Sequence, residues 1–390
     1  MSNKVCLTVS GPSARQWTFT FSGDNYGHDA ALGIMTASDV VERVQDPDND
    51  RYRLVFQITA GEARDRLACY GFTSAKSAHE VERALQSEPR FTGASRLQPA
   101  ERLTDAVRPW TESLERGSPG GERAWELLVE SMDGYFIEPD LFPMLHGIAV
   151  VASAAPPESV ITVDLSDSDC AWDESGETLL EDFKPIELSE FRPAAILTEG
   201  TFDADVLRHA ISATHPHLHQ HIRVADFGLS REGGSSALGK LVRGLASVGV
   251  DHTRVIAIFD ADRVGTLEAT RLREAGLPPN FSIVTLPAIP ELGTYPVIGV
   301  DGVNASDVNG WGAAVETYLA VELQMVECAP LVLSYDHGRS GGYQGVLPAH
   351  TKTAIQHAYE EAIRHDREWP ILQRVVQHVL HADDHRSLEL

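Results

Sequence analysis

An α/β fold with a mostly parallel sheet is predicted for the second half of this 390-residue chain. Three observations predict it. From residue 193 onward, short apolar runs alternate with longer amphipathic stretches, the order expected of strand–helix–strand units. The apolar runs have strand length and are rich in Val and Ile, as in PAAILTE, RVIAIFD and FSIVTLP. Acidic residues also stand at the carboxyl ends of two of these runs, where open parallel sheets bind their ligands.

Taken in order, the chain opens on VCLTVSG and QWTFTFSG, whose alternation predicts a hairpin, and RYRLVFQITA adds a strand. AGEARDRLACYGFTSAKSAHEVERAL places Ala63, Leu67, Val81 and Leu85 at helical spacing, with a Gly-Phe break between two helices. Helices are expected around residues 100–114 and 122–136, and strands at AVVASA and SVITVDL. Residues 164–182 are dense in acids and read as a solvated linker, since they lack the spacing of a calcium loop.

Beyond it, PAAILTE (strand), FDADVLRHAISA (helix), HIRVADFG (strand), SSALGKLVRGLASVG (helix), RVIAIFD (strand), TLEATRLREAG (helix) and FSIVTLP (strand) follow one another. In the second helix, Leu238, Leu241, Val242, Leu245 and Val248 share one face. The rest reads as mostly helical, through GWGAAVETYLAVEL, HTKTAIQHAYEEAIRH and WPILQRVVQHVLH. The expected organisation is a smaller α+β N-terminal domain over 1–188 with the acidic linker at its end, the parallel α/β domain over 189–300, and a helical C-terminal region over 301–390.

No run approaches the ~20 apolar residues of a membrane span. Nor does the start of the chain carry a basic stretch followed by a long apolar one, so no signal peptide is expected. Cys6, Cys69, Cys170 and Cys328 form no CxxC pair and suggest reduced thiols in a cytoplasmic protein. A formal net charge of -25 argues against a passive basic groove for nucleic acid. It leaves room for a site whose positive charge comes from bound cations.

The acids at the strand ends make such a site. In LTEGTFD, Glu199 ends one strand, Gly200 allows a tight turn, and Asp203 begins the next helix as a cap or a ligand. In VIAIFDADRVG, Asp260 and Asp262 lie one residue apart and project to the same side of an extended chain. Four carboxylates meeting in one cleft repel one another unless a divalent cation neutralises them. Magnesium or manganese suits oxygen donors and phosphate, so phosphodiester cleavage is the expected chemistry. Taken singly, Asp203 reads equally well as a helix cap and Asp260 as a polar strand end.

The order Glu-Gly-x-x-Asp followed by Asp-x-Asp resembles the Toprim signature of topoisomerases, primases and overcoming-lysogenisation-defect (OLD) nucleases, and the second acid is most similar to the OLD type. The resemblance implies a Toprim fold with Glu199, Asp203, Asp260 and Asp262 as ligands of one or two Mg or Mn ions, and with Glu199 as a general acid or base. It also implies an acid at a later helix start, for which AAVETYL offers Glu316 and the preceding DVNG offers Asp307, and a transition-state lysine, for which Lys352 stands in PAHTKTAIQHAYEE. RDRLACYGFTSAKSAHEVERAL, SYDHGRSGGYQG and YPVIGVDGVNASDVNGWGAAVETYLA resemble HEPN/Toprim N-terminal domain proteins over nearly the whole chain. That likeness implies a nuclease effector in bacterial anti-phage defence. It would cut DNA or RNA, and its N-terminal domain would serve partner, trigger or homo-oligomer contacts. R-x-x-x-x-H, the HEPN ribonuclease motif, is absent.

Two motifs compete. GGSSALGKL nearly matches a P-loop, but Leu241 replaces the hydroxyl residue and Gly239-Lys240 read as helix, which weakens an NTPase alternative. Lys240, Arg231 and Arg263 remain candidates for phosphate contacts on nucleic acid. THPHLHQH spaces His215, His217, His219 and His221 by two but lacks interleaved ligands, and reads as a surface loop. A non-catalytic module that regulates or scaffolds a partner is the other class of function the sequence allows.

Overall fold

The computed structural model describes residues 4–10, 16–22, 33–45, 48, 50–87, 141–165, 173–175, 192–225, 233–250, 253–336 and 342–382. They fall into two compact units, one reaching Arg192 and the other spanning Pro193–Ala382. In the first unit, β1 (Lys4–Ser10), β2 (Gln16–Ser22), β3 (Val40–Gln45), β4 (Tyr52–Thr59) and β5 (Val160–Asp164) form one sheet in the order β2-β1-β5-β4-β3. Its strands pair antiparallel throughout. Helices α1 (Ala60–Cys69), α2 (Ser74–Ser87) and α3 (Leu141–Ala154) accompany it.

Thr59 starts α1 with a capping box. Its hydroxyl accepts the Glu62 N–H at 3.1 Å, and the Glu62 carboxylate accepts the Thr59 N–H at 2.8 Å. Arg66 is buried at 2% exposure and forks onto Asp39, with Nη1–Oδ2 2.6 Å and Nη2–Oδ1 3.1 Å, while Nη1 also donates to the Ile34 carbonyl. The desolvated pair thereby ties the segment before β3 to α1.

The second unit holds the parallel sheet. Strands β6 (Arg192–Leu197), β7 (Ile222–Val224), β8 (Thr253–Phe259) and β10 (Phe281–Thr285) lie in the order β10-β8-β6-β7. β10 pairs parallel with β8, and β6 with β7. The connecting helices are α4 (Thr201–Thr214), α5 (Ser235–Ser247) and α6 (Arg263–Glu274). Alternation along the strands gives each face its own core. Val255, Ala257 and Phe259 of β8 pack with Leu238 and Val242 of α5 and Ala269 and Leu272 of α6. Ile258 turns to the other face, toward Val206, Leu207 and Ala210 of α4. Leu241 and Leu245 are partly buried on the apolar face of α5, but Val248 is 75% exposed because the helix ends before it.

Beyond β10 the structure departs from the helical expectation for 301–390. β11 (Tyr295–Gly299), β12 (Gly302–Ser306), β14 (Leu331–Asp336) and β15 (Gly342–Val346) form a second sheet in the order β12-β11-β14-β15. Two-residue strands β9 (Ala261–Asp262) and β13 (Gly312–Ala313) pair antiparallel. Helices α7 (Val315–Glu322), α8 (Ala349–Ala362) and α9 (Pro370–Leu380) complete the unit. Glycines and polar residues in β12 and β15 gave these hairpins no apolar run to read. AVVASA, expected as a strand, is the end of α3, since a short apolar run carries no periodicity that separates buried helix from strand. The helices expected at 100–114 and 122–136 lie outside the described residues, as do most of 164–182.

α9 is held at both ends. The buried Glu322 carboxylate accepts the N–H groups of Ile371 and Leu372 at 2.7 and 3.0 Å, satisfying donors of the first turn. Arg254, buried on β8, donates to the Leu380 carbonyl at 2.9 Å. Among the described residues no helix is long and apolar enough to cross a membrane.

Candidate metal centre

β6 and β8 are neighbours in the sheet, so both acidic strand ends emerge at one edge. Glu199 follows β6 and is fixed from two sides. Its Oε2 accepts the Ser235 hydroxyl at 2.7 Å, and its Oε1 accepts the Asp260 N–H at 3.0 Å. The Gly234 N–H also reaches the Glu199 carbonyl at 2.8 Å, with Gly234 at φ +95°, a conformation that suits glycine. Asp203 lies in the first turn of α4 and accepts the Gly200 N–H. A Cβ at Gly200 would stand 3.1 Å from the Asp203 carboxylate.

Asp260 follows β8 directly. Asp262 caps α6, accepting the Gly265 N–H at 2.7 Å. Glu316, on the first turn of α7, is buried. Lys352 of α8 sits 3.3 Å from each of its carboxylate oxygens.

The five acids act on one another. Burial pushes the Asp260 carboxyl well above the usual range, and the charges of Glu199, Asp203, Asp262 and Glu316 push it further. Glu199 is raised to about 7, first by burial and then by Asp262 and Asp203, against the Ser235 and Asp260 hydrogen bonds. Asp203 is raised to about 6 by burial and by Glu316, with Lys352 opposing. Burial raises Asp262 too, against the N–H groups of Gly265 and Val264. Behind the acids lies a cavity of about 30 Å³, lined by Thr198, Glu199, Asp203, Asp260 and apolar side chains including Phe259, Tyr318 and Val375. It has room for about one or two water molecules.

Among the described residues, no three His, Cys, Asp or Glu side chains close into a group that could hold a metal as they stand. Asp203 and Asp262 each bend to a backbone N–H, Glu199 is held by Ser235, and Glu316 faces Lys352. The donor set itself fits a hard divalent cation. It is all oxygen, and the unrelieved repulsion on Asp260 is what such an ion neutralises.

The remaining candidates are dispersed. The Asp307 carboxylate accepts the Asn309 N–H at 3.0 Å, shapes its own exposed turn, and is not among the acids acting on Asp260. Arg263 opens α6, and its guanidinium lies against Gly342 of β15. Lys240 is exposed on α5. Gly239 beside it is buried in the same helix against Glu268, so this segment forms no phosphate-cradling loop. Arg231 lies outside the described residues. The His run is not one extended face. Pro216–Leu218 make a 3₁₀ turn, and His215 and His221 are buried.

Ser235 is a partner of Glu199 that the sequence analysis misses; the signal is Gly233 and Gly234 before it, since a Cβ at Gly233 would lie 3.2 Å from the Glu199 carbonyl oxygen. Compared with protein-family models, curated proteins and solved structures, the chain matches none of them.

The raised carboxyls set a pH dependence. Glu199 and Asp203 bind protons more tightly in the folded protein than at the ordinary values of 4.5 and 3.8. The folded state therefore holds more protons between about pH 4 and 7, and metal-free stability falls as pH rises through that window. Melting temperature in chelator is expected to drop between pH 5 and 8, by about 2–4 °C for each kcal/mol lost. Added Mn should restore more of it at pH 8 than at pH 5. A metal-free melting temperature that rises with pH across this range contradicts the cluster.

Proposed function

We propose that the second unit is a metal-dependent phosphodiesterase of Toprim type acting on nucleic acid, with Glu199, Asp203, Asp260, Asp262 and Glu316 as the residues that would hold one or two Mg or Mn ions. The observation that carries this reading is the convergence of acids on Asp260, whose carboxyl is raised first by burial and then by the charges of Glu199, Asp203, Asp262 and Glu316. When bound, such ions supply Lewis-acid activation and charge neutralisation at phosphate. Glu199, raised to about 7 and oriented by Ser235 and the Asp260 N–H, is suited to accept and return a proton near neutral pH. Lys352 brings a positive charge to the Glu316 side, where it can stabilise charge on a phosphate oxygen. By resemblance, this activity would serve anti-phage defence, with the first unit recognising a trigger or partner.

The alternative is a non-catalytic module, which the net charge of -25 favours. Incubating the full chain with labelled DNA and RNA in Mn, Mg or chelator separates the two. Cleavage that needs the metal is expected. No cleavage of either polymer in any metal, with no shift in melting temperature on adding Mn, leaves the non-catalytic module. Cleavage should persist in Lys240→Ala, since that side chain stands on the exposed face of α5.

A further inference from the structure

The second sheet carries an aromatic pair that the carboxylate site does not use. Tyr335 of β14 and Tyr343 of β15 are cross-strand partners, with ring centroids 5.0 Å apart and planes at 75°. They are 43% and 59% exposed, whereas Tyr295 and Tyr318 of the same unit are almost wholly buried. Cross-strand neighbours project to one face, so the rings form a single exposed surface.

That surface adjoins the acids. Gly345 stands two residues beyond Tyr343 and shares its face. A Cβ there would lie 3.4 Å from the Cα of Gly312, and Gly312 pairs with Asp262. Aromatic rings and a carboxylate edge thus follow one another along one face.

Unpaired bases offer π faces to such rings. A duplex keeps its base faces stacked inside, so it cannot use the rings. We propose that Tyr335 and Tyr343 form a stacking platform for the bases of a single nucleic-acid strand, so that the site prefers unpaired DNA or RNA to duplex. This deepens the phosphodiesterase reading and rests on it for the identity of the polymer.

The test measures binding, not cleavage. Fluorescence anisotropy of short labelled single-stranded DNA, single-stranded RNA and duplex DNA is followed with the full chain in calcium. Wild type is expected to bind at least one single strand more tightly than duplex. Tyr335→Ala/Tyr343→Ala should weaken single-strand binding about tenfold or more and leave duplex binding within a factor of about two. Tyr335→Phe/Tyr343→Phe should retain single-strand binding, because the ring is kept. Equal losses for single strand and duplex, unchanged binding in the alanine variant, or no binding to any oligonucleotide would each overturn the platform. Ring-dependent binding without metal-dependent cleavage would keep the platform and remove the phosphodiesterase. Cleavage with ring-independent binding would do the reverse.

Discussion

Asp260→Asn is expected to abolish metal-dependent cleavage while raising the melting temperature of the metal-free protein. Two opposite effects from one uncharged replacement are a stringent outcome, because ordinary damage to a fold lowers both. The activity loss follows from removing the acid at the centre of the cluster, and about 10³-fold or more is expected for a group of this kind. The stability gain follows from the four acids whose charges bear on Asp260. With the charge gone, Glu199, Asp203, Asp262 and Glu316 lose a repelling neighbour. The Asp260 backbone N–H still donates to Glu199, so the local frame survives. In chelator at pH 8 the variant should melt about 2–4 °C above wild type, and it should gain less than wild type when Mn is added. Retained cleavage, or a variant that melts lower in chelator, would discard the shared carboxylate site.

The second large effect is expected at Gly265. A Cβ there would lie 2.4 Å from the Asp260 carbonyl oxygen, 3.1 Å from the Asp260 nitrogen and 3.0 Å from Glu199 Oε1. Backbone atoms cannot rotate aside, so Gly265→Ala must displace either the first turn of α6 or the end of β8. A cost of about 2–4 kcal/mol is expected in urea unfolding, together with loss of cleavage. Gly239→Ala is the matched control. Its Cβ would approach Glu268 Oε1 at 2.3 Å, but that obstacle is the end of a side chain paired with the half-exposed Arg243. It can turn outward, and a cost nearer 1 kcal/mol is expected. Equal costs for the two substitutions would mean that the Gly265 contact does not constrain the site.

Asp260, the residue behind the first effect, was visible in the sequence for a simple reason. Parallel strands joined by helices all point their carboxyl ends to one edge, so acids at two strand ends meet if the strands are neighbours. β6 and β8 are neighbours, and Glu199 and Asp260 meet. Asp262 was legible through the period of two, although it reaches its place by capping α6 as well. Lys352 and Glu316 came from resemblance, and their pairing could not be read from residues 36 apart. The second sheet stayed hidden because β12 is exposed along its length and β15 alternates around glycines, so neither shows the apolar run that marks a buried strand. The sequence around Tyr335 and Tyr343 carries nothing that separates an exposed aromatic from a core one. Only their pairing at the hairpin end left them facing solvent.

The anchoring of α9 has a practical corollary for anyone wishing to borrow this chemistry. A fragment cut after the last parallel strand would keep Glu199 and Asp260. It would lose the Leu380 carbonyl that receives the buried Arg254 guanidinium at the start of β8. It would also lose the β13 strand that pairs with Asp262. The parallel sheet is therefore not a transplantable cassette. The smallest portable piece carries Pro193–Ala382 whole, and shuffling at residue 300 should yield insoluble chimaeras.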